Sequence, residues 1–158
     1  MIKTFLSTYD TTVLTVQRWI TPLVLLAVRV LTAIAFFKAG QVKIANWEST
    51  LFLFEYEYQV PLLPFEAAAF IAAAVELCLP PLILLGLFSR PVALVLFGFN
   101  IMAVVSYPVL WEQGYLDHQL WGLMLLMIVL WGPGKLSIDH WLRQRFGGAP
   151  ASVSMQPQ

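Results

Sequence analysis

The fold class predicted by this sequence is an all-α membrane protein, with four transmembrane helices in one bundle and short interfacial helices at its ends. Three observations carry that expectation. Of 158 residues, 59% are hydrophobic and only 11% charged, with a mean hydropathy of +0.77, too apolar for a soluble domain of this size. Four apolar stretches approach the roughly 20 residues needed to cross a hydrocarbon core of about 30 Å. Between them fall helix breakers: Pro61 and Pro64, Ser89-Arg90-Pro91, Tyr107-Pro108, and Gly132-Pro133-Gly134 beyond the last.

The first span is placed near residues 19–42, opening at Trp19-Ile20-Thr21-Pro22, where an initial turn tolerates proline, and closing around Lys38, Gly40 and Lys43. The second, near 65–88, follows Val60-Pro61-Leu62-Leu63-Pro64 and ends at Gly86-Leu87-Phe88. The third lies near 91–110, and Glu112-Gln113-Gly114 leads to the fourth, near 116–133. Two further segments are expected to lie on the membrane without crossing it. Trp47, Leu51 and Phe54 share a helical face, and Ile138, Trp141, Leu142 and Arg145 suggest a short basic helix. The organisation is thus an N-terminal segment 1–18, a membrane domain 19–146 and a flexible tail 147–158. Ala33-Ile34-Ala35 has the small residues of a signal-peptidase site, but Arg29 inside the apolar run and the polar lead before it favour a retained span.

Nine Lys or Arg balance nine Asp or Glu, so no basic field points to nucleic acid. The placement of the charges is more informative. Lys3, Arg18, Arg90, Lys135, Arg143 and Arg145 fall on one side of a four-span bundle, and Glu48, Glu55, Glu57, Glu112 and Asp117 on the other, with Lys38 and Lys43 near that end of the first span. Lys and Arg are retained on the cytoplasmic side, so both termini are expected in the cytoplasm of an up-down-up-down bundle. The single cysteine excludes an internal disulfide. Cys78, in an apolar run beside Pro80, reads as a buried small hydrophobe.

Arg29 and Glu76 are the ionisable residues set deepest in the apolar runs. A charge at the bilayer centre costs roughly 2.5–3.5 kcal/mol on insertion scales, so it faces a partner or a polar cavity. Arg29 lies 13 residues from the end of the first span at 42, and Glu76 lies 11 residues from the start of the second at 65. Their depths then differ by only about 3 Å, and the two are expected to meet. Arg29, Phe36 and Lys43 recur every seven residues with Ala33 and Gly40 close to the same stripe, while Ala69, Ala72 and Ala73 near Glu76 let a second backbone approach. The pair reads either as a structural pin or as the lining of a pocket for an anionic or redox ligand, or a proton route. Lys43, Glu66 and His118 gather toward the outer ends of their spans and extend that candidate site. His118 adds an imidazole that titrates near neutral pH. Asn100, in mid-membrane, is expected to hydrogen-bond between helices.

Met124 and Met127, with Met102 on the third span, raise the question of a soft metal site, to which His118 would add nitrogen. Methionine is common gap-filling material in apolar helices, and the expectation is that no metal binds. Cys-x-x-Cys, His-Glu-x-x-His and phosphate-binding glycine loops are absent from the sequence, leaving disulfide exchange, zinc hydrolysis and nucleotide use without those signatures.

Arg29, the run Phe36-Phe37-Lys38-Ala39-Gly40-Gln41-Val42-Lys43, then Glu76 with Gly86 and Arg90, together resemble the DoxX family of small four-helix membrane proteins over about residues 22–140. Trp47 to Phe52, Glu55 to Pro64, Asp117 to Gly122 and Gly132-Pro133-Gly134 are similar to the HvfX-type members, which occur beside gene clusters for modified, metal-binding peptides. The resemblance implies a multi-pass protein of the bacterial inner membrane, with Gly40, Gly86 and Arg90 as family-pattern positions. Some relatives are linked to thiosulfate-to-quinone electron transfer, others to oxidative-stress or sulfur-metabolism complexes. The functional expectation is a subunit or partner of a redox or metal-stress system, engaging a quinone or an anionic ligand near Arg29 and Glu76. Whether the chain is itself part of a quinone-linked oxidoreductase stays open. A small solute or proton carrier and a noncatalytic scaffold recruiting a partner enzyme are the alternatives.

Overall fold

The computed structural model describes residues 2–111 and 114–147; Met1, Glu112-Gln113 and the 148–158 part of the expected tail lie outside the described residues. The described chain runs α1 (Ile2–Ala45), α2 (Trp47–Tyr56), α3 (Phe65–Leu85), α4 (Ser89–Ser106), a 3-10 turn at Pro108–Trp111, α5 (Tyr115–Trp131) and α6 (Ile138–Phe146). α1, α3 and α4 are long and apolar enough to cross a membrane, and α5 is a shorter apolar helix of 17 residues. α1 packs against α3 and α4 against α5, with α1 also touching α5 and α3 touching α4, which closes the four-helix bundle. α2 and α6 are the two short helices expected at its ends.

Local chemistry sets the boundaries. Pro108 biases the residue before it away from helical geometry, and Tyr107 is indeed extended (φ −125°, ψ 89°), so α4 stops at Ser106, short of residue 110. Gly86 takes the left-handed conformation (φ 70°) that closes α3, its N–H reaching back to Ile83 and Leu82. α1 departs most from expectation, running unbroken from Ile2 through Pro22. The N–H that proline lacks would have bonded the carbonyl of Arg18, where the helix is exposed and water can serve that carbonyl instead. Asn46 then breaks the backbone and caps α2, its side chain accepting from Ser49 N at 3.0 Å.

The core lies between the four long helices. Val28 and Phe36 of α1, Ile83 of α3, Leu96 of α4, and Leu125 and Ile128 of α5 are buried together. A second cluster joins Phe54 of α2 to Ala68, Ala69 and Ala72 of α3. Where α1 crosses α3, a Cβ on Gly40 would lie 2.9 Å from Leu77 Cγ and 3.0 Å from the Cβ of Glu76, so the absence of a side chain lets the backbones close. Cys78 corrects one expectation. It is exposed, because its position on α3 turns away from α1 while Glu76, two residues earlier and about 200° round the helix, is buried.

Candidate functional site

The α1 stripe predicted from the seven-residue spacing faces inward: Arg29, Ala33, Phe36 and Gly40 are buried and Lys43 is half-buried at its end. Ala69, Ala72, Ala73 and Glu76 form the answering face of α3. The charges on these faces do not pair as their depths suggested. Gly40, not Arg29, lies against Glu76, and Arg29 is 11 residues from Gly40, about 16 Å along the helix axis. Arg29 and Glu76 lie at different depths because α1 does not start or stop where α3 does. α1 ends at Ala45, and α2 packs over the N-terminal part of α3 in its place.

Arg29 serves the Gly86 end of the bundle. Fully buried, its guanidinium donates from Nη1 to the carbonyl of Leu84 at 3.1 Å and from Nη2 to the carbonyl of Leu136. These bonds place a cation on the carbonyl-rich last turn of α3, where the helix dipole favours one. Gly86 makes room, since a Cβ there would collide with the guanidinium. Asp139 completes this knot from α6: its carboxylate accepts from Phe88 N and Ser89 N, both at 2.8 Å, capping α4, while its own N–H donates to Gly86 O at 2.9 Å. Arg90 reaches across to the end of α5, donating to Leu130 O at 3.3 Å and packing beside Gly132. Sequence reasoning found Arg29, Gly86 and Arg90 but not Asp139. The Ser137-x-Asp139 start of a short helix was the available signal.

At the other end, Lys43 closes on Glu76, Nζ standing 2.8 Å from Oε1 and 2.6 Å from Oε2. The lysine is held from behind, as Thr50 of α2 donates its hydroxyl to the Lys43 carbonyl at 2.9 Å. This pair forms part of the wall of a partly open cavity of about 350 Å³ between α1, α2, α3, α4 and α5. Its other walls are mainly apolar and aromatic: Phe36, Phe54, Tyr58, Phe99, Tyr107 and Trp121. Tyr58 stands edge-on to both Phe54 and Tyr107, with ring centroids 4.8 Å apart in each case. The segment carrying it is tied to α4 by Gln59 N donating to Ser106 O at 2.7 Å. Burial first, then the neighbouring Tyr107, Glu76 and Glu57, pushes the Tyr58 phenol above its usual range and keeps it a neutral donor.

His118 borders the same cavity and is oriented by Asn100 on α4. The amide Nδ2 donates to the His118 carbonyl at 2.9 Å, which fixes its orientation and turns Oδ1 toward the ring. Nδ1 lies 2.8 Å from that oxygen and must carry the proton, an assignment from the hydrogen-bond network, so in the neutral ring Nε2 remains an acceptor. Trp121 packs edge-on against the imidazole, centroids 4.8 Å apart. Ser106, 3% exposed, also lines the cavity, and its hydroxyl has no hydrogen-bond partner among the described residues.

Of the five candidates read from the sequence, Lys43, Glu76 and His118 therefore share one cavity. Arg29 does not line it, and Glu66 is exposed in the first turn of α3, where a carboxylate suits the helix N-terminus. Tyr58, Tyr107 and Ser106 were missed, because loop positions and helix ends carry no periodicity to point them inward. Met124 packs in the core with the Thr32 hydroxyl 3.7 Å from its sulfur and Met127 packs against the same core, whereas Met102 lines the cavity, so the three methionines do not share one site. Among the described residues, no group of three or more His, Cys, Asp or Glu is placed to hold a metal ion.

The family model for DoxX matches residues 24–108, more than half of the chain and all of the segment bearing Arg29, Gly40, Lys43, Glu76, Gly86 and Arg90. The chain belongs to the DoxX family. No match was found among curated proteins or among solved structures. Within this DoxX protein, the Lys43–Glu76 wall of the cavity lies inside the matched segment, while His118 lies on α5, beyond it.

Proposed function

We propose that this DoxX-family protein is a membrane subunit of a redox system, and that the cavity holding Lys43, Glu76 and His118 takes the head group of a quinone. One observation carries the reading: an ion pair and an oriented imidazole border one largely apolar, aromatic-walled cavity. A pocket of a few hundred Å³ with few, convergent polar groups is the usual form of a small-molecule site. A quinone ring presents flat apolar faces to Phe36, Phe54 and Trp121 and carbonyl oxygens to the Lys43 ammonium, the Tyr58 phenol and the Ser106 hydroxyl. Its hydroquinone would donate to Nε2 of His118. Ile71 and Met102 line the cavity and are also exposed on α3 and α4, which suits a ligand arriving from the lipid.

The orientation follows from charge. Arg90, Lys135, Arg143 and Arg145 at the Gly86 end, against Glu48, Glu55, Glu57 and Asp117 beside Lys38 and Lys43 at the cavity end, support an orientation with the cavity on the outer side of the inner membrane and both termini in the cytoplasm. Carriage of a solute or proton is the weaker reading, since Phe36 of the cavity wall packs into one buried apolar cluster with Ile83, Leu96, Leu125 and Ile128, which offers no polar groups for a path.

Titration of the purified protein in lipid nanodiscs with a short-chain quinone tests the proposal. Saturable binding is expected, weakened at least about tenfold by Lys43→Met or His118→Ala with helical content intact, on the scale of one charge-assisted hydrogen bond. Glu66→Gln should leave it unchanged. Absence of saturable binding in the folded wild-type protein contradicts the reading.

A further inference from the structure

From Leu6 to Ile20, α1 is exposed at every position but Val13. α1 is 44 residues, about 66 Å, whereas the 21 residues of α3 already rise about 31 Å, a full hydrocarbon core. Leu25 packs against Gly134 in the loop after α5, so the residues before Pro22 extend past the bundle's Gly86 end. They also precede the segment matched by the family model, which begins at residue 24.

This extension carries an apolar seam. Leu6, Tyr9, Val13, Val16, Ile20 and Leu23 follow one another at alternating steps of three and four, the 3.5-residue period of a left-handed coiled coil, and Ala27 continues it. All but the half-buried Val13 are exposed, Leu6, Tyr9, Val16, Ile20 and Leu23 at 47% to 60%. Leu6, Val13 and Ile20 take the first core position of each heptad and Tyr9, Val16 and Leu23 the second, with β-branched Val13 and Ile20 and Leu23 matching the residues that two-stranded coils prefer there.

We infer that α1 pairs through this seam with α1 of a second copy, forming a parallel two-stranded coiled coil on the Gly86 side of the membrane. Parallel pairing is forced, because two copies inserted with the same orientation send their extensions out on the same side. The membrane surface is a poorer occupant. A helix lying on lipid headgroups carries a basic polar face, but the polar residues between Ser7 and Arg18 are mainly hydroxyl-bearing, with Asp10 and Arg18 opposed in sign. Thr11, Thr12 and Thr15 already turn their hydroxyls back onto carbonyls four residues earlier, at 2.7–2.9 Å. A lone helix rich in Thr and Val is held weakly by its own propensity in water, and a partner along the seam supplies what its composition lacks.

Site-specific cross-linking in proteoliposomes at low protein-to-lipid ratio tests the pairing, in a Cys78→Ser background that removes the exposed native thiol. Tyr9→Cys and Val16→Cys, on the seam, should form disulfide-linked dimers at least about tenfold faster than Thr11→Cys and Arg18→Cys on the opposite face. Val13→Asp, in the same background, should abolish the Val16→Cys cross-link, while the bundle's helical content is retained. Equal rates on both faces, no cross-link on the seam, or a cross-link unaffected by Val13→Asp overturns it.

Discussion

Lys43 and Glu76 meet at 2.6 Å one helical turn beyond the crossing at which Gly40 lets α1 and α3 touch. The glycine and the ion pair belong to one device, since only a close crossing brings a lysine at the end of one helix onto a carboxylate in the middle of the other. The pair is largely withdrawn from water, with side-chain exposures of 19% and 7%. Each partner therefore depends on the other for compensation.

Removing either partner should cost about 3–5 kcal/mol, the range for breaking a buried pair, and the Lys43→Met, Glu76→Gln double variant should cost less than the two single changes summed. Arg29→Met combined with Glu76→Gln should instead be additive, because Arg29 bonds the carbonyls of Leu84 and Leu136 rather than Glu76. Two double-mutant cycles, read by chemical denaturation in detergent, check both. Coupling between Arg29 and Glu76 larger than that between Lys43 and Glu76 would contradict this assignment.

The Gly86 knot predicts a second stability effect. Gly86→Ala places a side chain in a left-handed conformation, costing about 1–2 kcal/mol on backbone grounds, and drives its Cβ into the Arg29 guanidinium. The loss should exceed that backbone figure. Asp139→Ala should cost about 2 kcal/mol by uncapping α4, with Asp139→Asn costing less because one acceptor oxygen remains. Thermal unfolding in detergent measures all three.

The folded fraction should also respond to alkali through Tyr58. Its phenol is raised in the folded protein by burial above the ordinary value of 10.0, so the protonated form is the one the fold favours. The sign follows: stability is undiminished below pH of about 10, the unfolded phenol's value, and falls as pH rises through the higher folded value. Tyr58→Phe should remove the slowest-rising component of the tyrosinate absorbance titration and flatten that alkaline loss.

The sequence made the class of fold legible because apolar run length and Pro or Gly breakers are local signals. The inward stripe of α1 was equally legible, for seven-residue spacing survives any change in where the helix starts. Pairing across helices was not, because it depends on register. Counting inward from estimated span ends assigned Glu76 to Arg29, and the insertion of α2 over α3 moved the true partner to Lys43. Asn100 was recognised as an interhelical hydrogen bonder, but its partner, His118, needed the α4–α5 packing to be known. Tyr58 and Ser106 reach the cavity from a loop and a helix end, where sequence spacing carries no directional information.

The most direct test of the account is photoaffinity labelling with an azido-quinone in native-like membranes, followed by peptide mapping. Labels concentrated on the segments bearing Tyr58, Tyr107 and Trp121, competed by unmodified quinone and lost in Lys43→Met, are the predicted result. Labelling spread over lipid-facing residues such as Cys78 or Leu94, insensitive to competition, would contradict a quinone site between Lys43, Glu76 and His118.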